Sequence, residues 1–81
     1  MDKQSLAANA TKQKQEKIKL WKKQATELEA ELKIAMAKKG EAAQEGDLRE
    51  NAKYQDAAEQ AEVISARLNN IQRMIKDLEK N

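Results

Sequence analysis

Apolar residues recur along this chain at alternating steps of three and four. In the second half they are Tyr54, Ala57, Ala61, Ile64, Leu68, Ile71, Ile75 and Leu78. Mostly polar residues stand between them, among them Gln55, Asp56, Glu59, Gln60, Arg67, Asn69 and Arg73. A repeat of this kind held over more than three heptads is the a/d seam of a coiled coil. It predicts a helix from about residue 48 to 79. The first half carries a matching row of Ile18, Trp21, Ala25, Leu28, Leu32, Ala35 and Ala42, with Lys39 filling the gap. Lys14, Thr11 and Ala7 extend it backwards with weaker residues. That row predicts a helix from about residue 9 to 43, with Asn9 and Thr11 as competing caps.

Gly46 lies between the rows, and the turn is expected over about residues 44–47. Folding back there sets the seams against each other in antiparallel register. Trp21 then faces Ile71, Leu28 faces Ile64 and Ala35 faces Ala57. Ile18 with Ile75, Ala25 with Leu68 and Leu32 with Ala61 interleave. Large side chains meet at the open end, and alanines meet near the turn. The expected fold class is therefore all-α: one antiparallel two-helix coiled-coil hairpin over residues 1–81, with no C-terminal globular domain in it. Arms of about 30 residues are ~45 Å long at the helical rise and cross at ~20°. Residues 1–8 overhang the partner helix and are expected to fray. A rod two helices wide is ill suited to enclosing a substrate and well suited to reaching into something. A bare hairpin is also marginal alone, so weak self-association is a further expectation.

Composition narrows the chemistry. The chain has no Cys and no His, which removes disulfides, thiolate metal sites and the commonest general base. It has no glycine-rich phosphate loop. Catalysis of its own would fall to carboxylates, lysines and hydroxyls, or to a site borrowed from a partner. No apolar run approaches membrane-spanning length and no secretory signal is visible, so the expectation is a cytoplasmic protein with no membrane partner. The net charge of +2 is too small to argue for nucleic-acid binding. Its distribution says more: residues 1–40 carry ten Lys and five acids, and residues 41–81 carry six basic and nine acidic residues. Glu41, Glu45, Asp47 and Glu50 concentrate acid at the middle of the chain. The basic stretch from Lys12 to Lys23 reads first as the solvated face of a helix, with contact to nucleic acid or an acidic surface as the alternative. Trp21 is expected in the core, and Tyr54 against the stem of Lys39.

Projected past Tyr54, the second seam reaches Glu50 and Asp47, where a continuing coiled coil would place apolar residues. Two readings stand. Asp47-Leu48-Arg49-Glu50 has the form of a capping box, with the acids also favoured by the positive end of the helix dipole. Gly46 would supply the permissive backbone just before it. Alternatively, the two carboxylates complete a Mg²⁺ site supplied mostly by a partner, since Mg²⁺ commonly takes only one or two carboxylates from one protein. The readings compete in part for the same oxygens, and local pattern alone favours capping.

The run "GDLRENAKY", residues 46–54, resembles the tip signature of the bacterial transcript cleavage factors GreA and GreB, which read approximately G-D-L-x-E-N-A-x-Y. The likeness continues through Ala57, Glu59, Ile64, Arg67, Leu68, Ile71 and Ile75. It covers roughly residues 42–78 well, and the first helix only by its pattern. The resemblance implies an accessory factor, not an enzyme, that inserts its hairpin through the secondary channel of bacterial RNA polymerase. Its partners are then the polymerase and the 3′ end of backtracked RNA. Asp47 and Glu50 would be the catalytic carboxylates: Asp47 a ligand of a Mg²⁺ held jointly with the polymerase, Glu50 a partner of the attacking water. The reaction would be hydrolysis of an RNA phosphodiester by two-metal logic. Gly46, Leu48, Arg49, Asn51 and Tyr54 would be tip contacts. The chain departs from the family in three respects. The first helix lacks the usual opening pattern of Thr, Gly and Leu-x-x-Glu-Leu. Ala43 and Ala58 stand where bases often flank the tip. The FKBP-like C-terminal domain of the family would begin about where Asn81 falls. Two alternatives follow: a channel-binding antagonist with weak cleavage activity, and a structural coiled-coil interaction module whose acids only cap.

Overall fold

The computed structural model describes residues 3–46 and 51–80. Two helices, α1 (Lys3–Ala43) and α2 (Ala52–Lys80), run antiparallel along one another. They form a rod of 67 × 15 × 15 Å. The seam falls where the apolar spacing puts it. Ala25, Ala35 and Ala42 of α1 and Ala57, Ala61, Leu68 and Ile75 of α2 are buried. Ile18, Trp21, Leu28, Leu32, Ile64, Ile71 and Leu78 are half-buried between them. Lys14 and Lys39 also sit half-buried on the seam of α1, where their aliphatic stems cover apolar surface while the ammonium reaches water.

The core is graded along its length. Towards the open end Ala25, Leu68 and Ile75 form a cluster, with Ile18, Trp21, Leu28, Leu32 and Ile71 packed against it. Towards the turn the buried residues are Ala35, Ala42, Ala57 and Ala61. Burying a Leu or Ile contributes about 1.5–3 kcal/mol, against roughly 0.8 for a single methyl-sized group. Most of the apolar stabilisation therefore sits in the half of the rod away from the turn, and the alanines serve close approach of the two backbones.

Both helix starts differ from the sequence expectation. The first helix begins at Lys3 and runs on through Asn9 and Thr11. Lys, Gln, Leu and Ala between residues 3 and 10 are good helix formers, and Asn costs only about half a kcal/mol more than Ala in a helix interior. Once a helix is nucleated, propagation through such a stretch is nearly neutral. The second helix begins at Ala52 instead of near Leu48, for a reason that lies in the turn.

Candidate functional site

The turn is built from the end of α1 outwards. Past Ala43 the helix tightens: Gln44 N donates to Glu41 O and Glu45 N to Ala42 O, both at 3.1 Å. These i→i+3 bonds satisfy two of the carbonyls that a helix C-terminus leaves open. Gly46 follows at φ +146°, the only positive φ among the described residues. Residues with a side chain rarely adopt that conformation, so the glycine does the reversing job the sequence assigns it.

Asn51 opens α2. Its Oδ1 accepts from Tyr54 N at 3.2 Å, and its main-chain oxygen accepts from Gln55 N at 3.1 Å. Together these bonds define an N-cap. Its Nδ2 donates to Ala42 O, in the last turn of α1. One half-buried side chain thus caps the second helix and ties it to the end of the first. Asn51 is the cap of α2. Asn ranks with Asp as a cap and also carries a donor, which a carboxylate lacks. The expected capping box of Asp47 with Glu50 falls outside the described residues, as do Leu48 and Arg49.

Behind the turn, Lys39 Nζ stands over the Tyr54 ring, 5.7 Å from its centroid. The expected packing of Tyr54 on Lys39 therefore holds, with a cation–π contact worth about 0.5–1 kcal/mol added. Lys53 Nζ reaches Glu45 Oε2 at 3.4 Å across the turn. Both groups are well exposed, so this pair stabilises by less than about 1 kcal/mol. Sequence reasoning missed it, because it becomes visible only once the register brings Glu45 and Lys53 to one flank. Lys38, Glu41, Glu45, Lys53, Asp56 and Gln60 line a shallow open groove over Ala42 and Ala57. It carries charges of both signs and encloses nothing.

Of the residues singled out from the sequence, Gly46, Asn51 and Tyr54 come together at one end of the rod. Among the described residues no group of three or more acidic or other metal-ligand side chains forms. Neither helix is long and apolar enough to cross a membrane. What the arrangement offers chemically is a braced mount: Gly46 and Asn51 bracket the four-residue run 47–50, and Asn51 is fastened to both helices.

Comparison with known proteins agrees with this picture. Residues 8–79 match the GreA/GreB family model described as "Transcription elongation factor, N-terminal". No curated protein and no solved structure gives a match. The family match spans both arms and the turn between them, and so the chain belongs to the GreA/GreB transcription elongation factors, as an N-terminal helical-hairpin domain of that family.

Proposed function

We propose that this elongation-factor domain, an accessory to RNA polymerase, enters the polymerase secondary channel with its turn end first. There it stimulates Mg²⁺-dependent cleavage of backtracked RNA through Asp47 and Glu50. The observation that carries this reading is Asn51. Capping was the strongest competing use for the two acids, and Asn51 performs it for α2. On this reading the two acids are left for the partner's ion. The shape supports the same reading: a rod 15 Å across and 67 Å long reaches a distant site through a narrow passage.

The donor chemistry suits the ion. Mg²⁺ takes oxygen ligands and usually only one or two protein carboxylates, and Asp47 and Glu50 are two such groups three residues apart in the sequence. When bound, the ion supplies charge stabilisation at the phosphodiester and lowers the pKa of water. Asp47 would hold it. Glu50 would accept a hydrogen bond from the attacking water and orient it. The polymerase supplies the remaining ligands, which accords with a chain that has no His or Cys.

The test is Asp47→Asn with Glu50→Gln, which keep shape and remove charge. Helicity and melting temperature should stay close to wild type, because the cap is Asn51. Stimulated cleavage by stalled polymerase should be lost. Equal cleavage with wild type and the double variant removes the metal role. A second reading, channel occupancy with little cleavage, is favoured by Ala43 and Ala58, one exposed and one half-buried beside the turn. Under that reading the wild-type chain slows the polymerase but releases almost no RNA fragment.

A further inference from the structure

The exposed apolar side chains of the rod are concentrated on one flank. The groove behind the turn marks that flank, because Glu41 of α1 and Asp56 and Gln60 of α2 all line it. Leu20 and Ile34 lie three heptads and one heptad before Glu41, on the same stripe of α1. Val63 lies one heptad after Asp56, and Met74 two heptads after Gln60. Side chains a heptad apart share a face in a coiled coil. Leu20, Ile34 and Val63 are 51–57% exposed and Met74 is 37% exposed. Val63 continues the surface next to Asp56, Gln60 and Arg67. The opposite flank, marked by the ion pair of Lys22 with Glu79, holds only Met36 among the large exposed apolar residues described.

The charges on the first flank follow a matching order. The register that sets Lys39 against Tyr54 and Ala42 against Asn51 also fixes which residues share a level. Lys17 is level with Asp77, Leu20 with Met74 and Glu27 with Arg67. Nearer the turn, Lys38 is level with Asp56, and Glu41 with Lys53. Unlike charge meets unlike charge, and apolar meets apolar. Gln24 meets Asn70, and the two middle levels are mixed, Glu31 with Val63 and Ile34 with Gln60. Yet among the described residues the ion pairs within the chain are Lys22–Glu79 and Glu45–Lys53. The matched charges of Lys17, Glu27, Lys38, Asp56, Arg67 and Asp77 are not used on each other inside one hairpin. Glu27 of α1 and Asp56 and Asp77 of α2 stand on the outward stripes, turned away from the other helix of their own chain.

A second copy uses them all. With a two-fold axis along the rod, α1 of one chain lies over α2 of the other at the same level, and the pairs Lys17–Asp77, Leu20–Met74, Glu27–Arg67 and Lys38–Asp56 become intermolecular contacts, each formed twice. We propose that this flank is a homodimer interface, closing two hairpins face to face into a four-helix bundle. The proposal stands apart from the cleavage reading. From Lys17 to Glu41 the flank is about 36 Å long at the helical rise, and the rod is 15 Å wide. That footprint is at the low end for specific association, so the dimer is weak and reversible.

Sedimentation equilibrium on the 81-residue chain, from about 10 μM to about 1 mM, tests it. Wild type should pass from monomer to dimer mass over that range. E27R and R67E each put like charges at both symmetric contacts, and each should weaken dimerisation by about tenfold or more. Mixed in equal amounts they should form a heterodimer, since both contacts then join opposite charges. A pairing of residues 27 and 67 within one chain produces no such rescue on mixing. V63K, at an exposed site, should abolish the dimer while circular dichroism shows unchanged helicity. Wild type that stays monomeric throughout, or a mixture no heavier than its components, overturns the proposal.

Discussion

Replacing Asn51 by Ala isolates a side chain that holds both helices at the turn. The substitution deletes the cap bond to Tyr54 N and the bond from Nδ2 to Ala42 O. Loss of an N-cap typically costs about 1 kcal/mol, within a range of roughly 0.5–2. The second bond is partly buried and adds about 0.5–1.5 kcal/mol. The sum is about 2 kcal/mol, which in a chain of this size lowers the melting temperature by about 8–16 °C. Thermal and urea unfolding followed by far-ultraviolet circular dichroism measure it. Asn51→Ser separates the two bonds: it keeps an acceptor for Tyr54 N but cannot reach Ala42 O, and should lose about half as much. The decisive comparison is with Asp47→Ala. If Asp47→Ala destabilises the hairpin by more than Asn51→Ala, the cap of the second helix is at Asp47 and the reasoning given for the turn fails.

Other perturbations follow from the same geometry. The two glycines should respond with opposite signs to Ala, read from urea midpoints. Gly40→Ala, in the interior of α1 with open space around the new methyl, should stabilise by about 0.8–1 kcal/mol. Gly46→Ala, at φ +146°, should destabilise by about 1–3 kcal/mol through backbone strain alone. Ala35→Leu should cost about 1–3 kcal/mol, because Ala35 is only 2% exposed where the helices meet most closely. Glu45→Gln should change stability by under about 1 kcal/mol, and less still at high salt, since both partners of the Glu45–Lys53 pair are exposed.

Much of the fold was legible because burial in a two-helix rod is governed by periodicity. Each residue placed on the seam from Ile18 to Leu78 is buried or half-buried, Lys39 included. The grading from Trp21, Leu28 and Leu32 to alanine could likewise be read from residue size alone. Helix starts were less legible, for two reasons. Asn9 and Thr11 have the side chains of caps, but the helix runs on through both. Asn51 caps α2 and also bonds Ala42 O, a contact across the hairpin that no local pattern records. At the turn, Gly46 and the Lys39–Tyr54 contact were anticipated, whereas Asn51 had been marked only as a partner contact. Leu20, Ile34, Val63 and Met74 escaped notice because a search for the seam passes over apolar residues that are off it.

The alanine-lined stretch near the turn has a mechanical consequence. Trp21, Leu28, Leu68 and their neighbours grip the chain far from the turn, so the rod behaves as a cantilever clamped at its root. Its outer span is thin, held by small side chains and one asparagine pin. Residues at the extremity can then be exchanged for others with different chemistry while the clamp holds, much as a tool takes a new bit without a new handle.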